Sequence, residues 1–410
     1  MIECFHYKYK CIQNKDMRTL TIGLLGYGTV GKSLDALLKN EPALHIAAIF
    51  RRKGKAQGER MTEDPLSVVA NPIIDTVVEV LGGLHPAYEL VQQALQNGKH
   101  VVTANKALVN AYGDEFKRLA SDHGVSFLFN AACGGGLPYL SSMIDSRASG
   151  SIVAVGGILN GTTNFMIDQM ERKQLSFAEA LAQAQALGYA EADPSGDIDG
   201  IDTLNKLRLA LVVSSNRWVE VSSVNVEGIR SLDALDISFL KANGYKVRLL
   251  CYGQLSDTSR VAYVEPTLVH ADESESAILE NNNIAWFSQD GQVRHELIGQ
   301  GAGGLPTAGN VLGDLHHIQR QTSSMLPMDT VLVQADNTQA IHAYYVRHPM
   351  TVRHAILESL TVEKYVLGDM VYRFTSPVSV SRFHGLMRAV RAQHPVFFAG
   401  LLAGGAHEDR

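Results

Sequence analysis

One stretch near the start of the chain narrows the fold more than any other. The apolar run Thr19 to Leu25 breaks at Gly26-Tyr27-Gly28-Thr29-Val30-Gly31 and resumes as a helical pattern through Leu38. In a strand, tight turn and helix, the three glycines have separate tasks. Gly26 permits the turn, Gly28 lets backbone approach a pyrophosphate, and Gly31 lets helix and strand pack closely. The helix N-terminus then faces the anion. The pattern predicts dinucleotide binding, and the chain continues in kind: Ile74 to Val80 reads as a buried strand, Pro86 to Gln96 as a helix, His100 to Thr103 as another strand. The second strand, Leu44 to Phe50, would in an NAD site end at an acid for the ribose 2′-hydroxyl. Here it ends at Arg51-Arg52-Lys53. Cations suit a 2′-phosphate, so NADP is the expected cofactor and NAD the alternative.

Composition bounds the rest. A chain of 410 residues should hold two or three domains, and 46% hydrophobic with 19% charged residues is ordinary for a soluble protein. The formal net charge of −6, with no basic run longer than Arg51 to Lys53, argues against a nucleic-acid partner. Apolar runs such as Leu207 to Val213 are too short to span a bilayer, and the first residues lack an apolar signal core. Four cysteines without a Cys-x-x-Cys pair fit a reducing compartment and give no zinc-ligand spacing. A cytoplasmic protein without membrane contact is expected. Residues 1–18 are mixed polar and aromatic, and Met17 stands just before the first strand, so they read as an extension with translation starting at Met17.

Further along, four short strings carry chemistry. Thr103-Ala104-Asn105-Lys106 lies at the carboxyl end of a parallel strand, where open α/β sheets bind ligands, although a loop lysine is ordinarily a surface residue. Phe127 to Pro138 is a strand ending in Gly134-Gly135-Gly136, by itself a flexible corner. After a strand from Ile152 to Leu159, Asn160-Gly161-Thr162 starts a helix that Thr162 would cap. The fourth string runs from Leu187-Gly188-Tyr189 through Glu191, Asp197 and Asp202 to Lys206, a glycine-punctuated acidic loop leading into an apolar helix. Asp202 and Lys206 share a helix face, where an isolated pair would be a solvated ion pair. Helices over 164–172 and 177–187 and strands over 221–226, 247–252 and 261–264 predict an α+β unit. Gly299 to Ala308 then opens a helix of small residues suited to close packing.

Taken in order from Leu20 to Leu315, these strings resemble homoserine dehydrogenases. The resemblance implies a Rossmann-type nucleotide domain over 19–150, completed by a helix at about 302–318, and a substrate-binding and catalytic domain over 151–301. It places Thr29, Val30, Gly188 and Gly303 beside the cofactor together with Gly26, Gly28, Gly31, Arg51 and Arg52, and Lys106 between nicotinamide ribose and substrate. It also implies a monovalent cation such as sodium held by the backbone carbonyls of Asn130, Cys133, Gly135 and Leu137, with Asn130 standing where the family usually has glutamate. The implied reaction is the interconversion of L-homoserine and L-aspartate 4-semialdehyde. Hydride reaches the aldehyde carbon, and the developing alkoxide needs a cation and then a proton. Lys206 is the expected donor, with a pKa lowered toward neutrality by burial and Asp202 opposing the fall. Glu191 would bind the substrate ammonium, Asp197 and Asp202 would orient substrate and lysine, and Tyr189 and Thr162 would shape the pocket. Two other readings compete: another amino-acid semialdehyde dehydrogenase, and a catalytically dead amino-acid sensor. The first lacks an evident cysteine–histidine pair for a thioester route, and the second is disfavoured by the intact Glu191, Asp202 and Lys206.

Past a linker over 319–335, residues 336–410 read as strand (340–346), helix (351–359), one or two strands (366–375), helix (381–393) and strand (396–402). That βαββαβ order resembles an ACT domain. At the first strand–helix turn His348-Pro349-Met350 replaces a permissive glycine, a poor cradle for an amino-acid carboxylate. Oligomerisation, as dimer or tetramer, is therefore expected over threonine feedback, with segments 340–346 and 396–402 free to pair across subunits.

Overall fold

The computed structural model describes residues 18–290, 294–321 and 330–401. The expected start at Met17 and nearly all of the extension lie outside the described residues, as does part of the expected linker.

The first unit is a six-stranded, all-parallel sheet. Its strands are β1 (Leu20–Leu25), β2 (Leu44–Phe50), β3 (Met61–Thr62), β4 (Thr76–Glu79), β5 (His100–Thr103) and β6 (Phe127–Leu128), in the order β3-β2-β1-β4-β5-β6. β1 and β4 are buried almost throughout, as parallel strands covered on both faces must be. The winding reverses between β1 and β4, which opens a crevice at their carboxyl ends. The helix Thr29–Leu38 starts at that crevice, and the much later helix Gly304–Gln319 packs against it so closely that a Cβ on Gly304 would lie 2.6 Å from Thr29.

The second unit is a mixed sheet of eleven strands. Its central strands Ile152–Ile158, Tyr245–Leu255 and Arg260–His270 carry the helix Ile201–Ser215. That helix also contacts the helices Lys106–Asp122 and Tyr139–Ser146, so it is covered on nearly every side. Leu204, Leu207, Leu209 and Leu211 are all buried, each contributing about 1.5–3 kcal/mol. Being enclosed on several faces is also what draws a lysine of this helix into the interior. Several expected elements move. Residues 221–226 form a 3₁₀ turn and a two-residue strand, the helix after Asn160 begins at Gly161, and the pair Asn282–Gln289 and Arg294–Gln300 was not foreseen.

The C-terminal segment has the expected element order, with Ile341–Pro349, Ala355–Leu360, Thr361–Leu367, Met370–Thr375, Val380–Arg391 and Phe397–Leu401, and the short strand Val378–Ser379 added. It has an apolar core of its own, with Tyr344, Val346, Phe383 and Phe398, and is also joined to the second unit. Gly400 and Leu401 pair in parallel with Thr267 and Leu268, which makes its sheet continuous with the second unit. Tyr345, Tyr372, Phe397 and Ala399 belong to the same apolar core as the rest of the chain. Within the expected linker, Val331–Val333 pairs with Arg217–Val219. The expectation that segments 340–346 and 396–402 are free for subunit pairing is corrected: each lies between two strands, whose hydrogen bonds occupy both of its edges. The strand Thr361–Leu367 lies at one end of the sheet, where Val362, Tyr365, Val366 and Leu367 are exposed.

Candidate active site

Where the two units meet, a cleft of about 1050 Å³ opens over the β1–β4 crevice. Its nucleotide-side wall begins at the glycine turn. Gly26 sits at φ +109° with Val80 O only 2.8 Å from where a Cβ would stand, and a Cβ on Gly31 would fall 2.3 Å from Gly26 O. Gly28, by contrast, faces open space and caps the helix Thr29–Leu38 without a side-chain bond or an acid in the first turn. The N-terminal N–H groups there are unspent, and a phosphate fits them. Thr29, Val30, Gly188 and Gly303 line the cleft. Arg51 and Arg52 stand outside its lining, at the end of β2, with the Arg51 guanidinium 5.6 Å from the Tyr27 ring centre and Arg52 exposed.

On the facing wall the helix Ile201–Ser215 presents Asp202 and Lys206, and the helix Lys106–Asp122 presents Lys106. One carboxylate bridges both cations: Asp202 Oδ1 pairs with Lys106 Nζ, and Asp202 Oδ2 lies 2.8 Å from Lys206 Nζ. Lys206 Nζ also donates to Leu159 O at 2.6 Å. Asn160 Nδ2 completes the cluster, donating to Asp202 Oδ2 at 2.9 Å and to Asp197 Oδ1 at 2.6 Å. Residues far apart in sequence thus meet at one point.

The electrostatics of this cluster correct one expectation. Burial works to lower the Lys206 pKa, but the charge and hydrogen bond of Asp202 outweigh it and hold the ammonium above its ordinary value. Asp202 shows the converse: burial pushes its pKa up, and the two lysines win and hold it far below the usual carboxylate range. Lys206 is therefore a firmly charged cation, not a lysine poised near neutrality. Asp197 has a raised pKa, chiefly through burial, which its hydrogen bond from Asn160 only partly offsets and the nearby Asp202 charge reinforces.

The remaining expected substrate residues line the same cleft. Glu191 is exposed toward it, and Tyr189 packs edge-on against Phe165 with ring centres 5.1 Å apart. Thr162 does not cap its helix. Asn160 does so, accepting from Thr163 N–H at 2.8 Å, and Thr162 Oγ1 instead donates to Tyr189 O at 2.7 Å and pins that loop. The turn containing Asn160 was expected at the pocket, but not the part of Asn160 itself, although an asparagine before a strand-to-helix turn is a recognisable N-cap signal. Glu79 was also missed. This buried carboxyl at the end of β4, its pKa raised by burial, accepts from Thr103 Oγ1 and from Leu81 N–H at 2.7 Å and stiffens the floor below Lys106. Nothing in β4 alone separates it from a strand-end surface acid.

Carbonyls of the expected cation ring have protein partners. The Asn130 carbonyl accepts from Cys133 N–H at 3.2 Å within a 3₁₀ turn, and the carbonyls of Gly135 and Leu137 both accept from Asn310 Nδ2, at 2.5 and 2.8 Å. Three of the four expected carbonyls are thus engaged by protein donors, two of them by one side-chain amide. Cys133 is fully buried, its thiol pushed up to about 12 by burial, so it offers no nucleophile for a thioester route.

Comparisons with known proteins agree with this geometry. Residues 26–130 match the family model of the homoserine dehydrogenase NAD-binding domain, and residues 138–316 that of homoserine dehydrogenase. The chain is 36% identical over 317 residues to a homoserine dehydrogenase of Synechocystis sp., covering 73% of each chain. It is 34% identical over 321 residues to that of Pseudomonas aeruginosa, covering 75% of this chain and 74% of the relative. The crystal structure of a homoserine dehydrogenase from Thiobacillus denitrificans superposes with a TM-score of 0.83 at 29% identity, over 94% of this chain and 98% of that one. The family matches stop at residue 316.

Proposed function

This chain belongs to the homoserine dehydrogenase family, and on that footing we propose a division of labour among the residues of its cleft. The protein is an NAD(P)-dependent homoserine dehydrogenase of amino-acid biosynthesis. In our reading the N-terminus of Thr29–Leu38 holds the pyrophosphate, with Thr29, Val30, Gly188 and Gly303 around the rest of the dinucleotide. Bound there, the nicotinamide supplies or accepts the hydride. Arg51 and Arg52 meet a ribose 2′-phosphate, which makes NADP the preferred cofactor.

Lys206 stabilises the alkoxide that develops from the semialdehyde and then gives it a proton; in the reverse direction it accepts the proton from homoserine. Asp202 holds Lys206 and Lys106 apart and oriented. Lys106 orders the substrate beside the nicotinamide, Glu191 and Asp197 face the substrate ammonium, and Thr162 with Tyr189 closes the pocket. The observation that carries this reading is the single carboxylate shared by two lysines at the junction of the nucleotide and substrate units.

A charged Lys206 makes a directional statement. As a raised-pKa ammonium it is ready to donate throughout the neutral range, whereas homoserine oxidation needs the amine and so should accelerate as pH rises toward the lysine's ordinary 10.5 and beyond. Asp202→Asn removes the carboxylate that raises this pKa and leaves the burial that lowers it. The alkaline limb of the homoserine oxidation profile should then move down by about one pH unit or more. A limb that stays in place would remove Lys206 from the proton-transfer role.

The C-terminal segment is read as an ACT-like module, supported by its βαββαβ order. The buried His348, whose Nδ1 bonds Pro349 O and whose Nε2 accepts from Arg373 at 2.7 Å, has both ring nitrogens engaged and is not offered to an amino-acid carboxylate, which favours weak response to threonine. The exposed edge Thr361–Leu367 is the surface we assign to assembly with a second subunit.

A further inference from the structure

The turn Asn130 to Leu137 is tied to the helix Gly304–Gln319 at both ends by side chains of that helix. At one end Asn130 N–H donates to Asp314 Oδ2 at 3.0 Å. At the other, Asn310 Nδ2 donates to the carbonyls of Gly135 and Leu137. A primary amide carries two N–H donors on that nitrogen, so two carbonyls use it fully. Asn310 is 7% exposed, and the turn is in turn fixed to the cleft floor by Gly136 N–H donating to Gln300 O at 3.1 Å. Gly135, Gln300 and Gly301 all line the cleft.

The charge around the turn is equally informative. A cation stripped of water needs more than carbonyl dipoles, since an uncompensated buried charge is costly. Asn130 is neutral.

We infer that the side-chain amide of Asn310 replaces the monovalent cation at this turn, gathering the carbonyls of Gly135 and Leu137 by neutral hydrogen bonds and holding the cleft floor without an ion. The enzyme is then independent of sodium and potassium. An uncharged donor does the same bridging because what the turn requires is two carbonyls drawn to one point, and each such bond contributes about 0.5–1.5 kcal/mol.

The test is thermal unfolding of the full-length, cofactor-free protein in sodium, potassium or choline chloride at equal ionic strength, a readout that requires no turnover and so stands apart from the assignment of Lys206. The wild-type midpoint should agree in the three salts to about 1 °C. Asn310→Asp keeps the size but aims oxygen at both carbonyls. It should unfold several degrees lower in choline and recover saturably with sodium or potassium, having become the ion site that the wild type lacks; Asn310→Ala should show the same trend. A saturable rise of the wild-type midpoint with either ion would overturn the inference, and that measurement needs no variant to fold. So would an Asn310→Asp protein that matches wild type in choline, or one equally destabilised in all three salts.

Discussion

Among the carboxylates that are each shared between two basic side chains, two make an instructive contrast. In the cleft Asp202 bridges Lys106 and Lys206; in the interior Glu265 accepts from His342 Nε2 and His384 Nε2, each at 2.7 Å, with Tyr344 at 3.4 Å. The first cluster borders solvent, and its lysines retain N–H donors for a substrate. The second is enclosed: Glu265, His342 and His384 are all buried, and the Glu265 pKa, pushed up by burial, is brought down to about 2 by the two histidines. Identical bonding therefore serves different ends. Where unspent lysine donors face the large cleft the triad can do chemistry, and where the carboxylate is fully buried, with only His384 bordering a small groove, it fastens the C-terminal segment to the strand Arg260–His270.

The comparison breaks most visibly at Lys206. Lys206→Ala should cut turnover by about a hundredfold or more, measured as NADPH oxidation with aspartate 4-semialdehyde, while cofactor affinity stays near wild type. Turnover within tenfold would make the cleft triad structural, like its interior counterpart.

The mirror experiment is Glu265→Gln. Its ordinary pKa of 4.5 against about 2 in the folded protein corresponds to about 3 kcal/mol of stability. Because the folded value is the lower one, that contribution is present above pH 4.5 and is lost as pH falls toward 2. Unfolding free energies of wild type and variant should differ near neutrality and converge across that acid window, with turnover of the folded variant unchanged. A variant that loses turnover but not stability would reverse the assignments.

The smallest effect sharpens the contrast from outside both clusters. Arg51 and Arg52 hold no buried carboxylate, so replacing both by glutamine should leave stability alone. It should erase a preference for NADPH over NADH of about tenfold or more in kcat/KM, the scale of one charge-assisted contact to phosphate. A wild-type enzyme that favours NADH would show that these cations only face water.

How far the sequence reached differs by the range of the interaction. The glycine turn, the parallel winding and the residues of the cleft were legible because each is written locally: Gly26 and Gly31 must be glycine for backbone contacts within their own strand–turn–helix, and Asp202 and Lys206 share a face through helix geometry alone. Lys106 and Glu191 were marked locally only as members of a strand-end loop and an acidic loop, and their roles, like that of Gly303, were reached through resemblance. What the tertiary structure decided were the contacts between distant segments. Lys106 reaching across to Asp202 helps hold that carboxyl far below its ordinary range, Asn310 reaching back to Gly135 and Leu137 engages acceptors expected for an ion, and Gly400 pairing with Thr267 joins the C-terminal strands to the main sheet. A side chain's chemistry is fixed by its type, but its charge state and its spare hydrogen bonds depend on which distant groups the fold brings within 3 Å, and no local pattern records that.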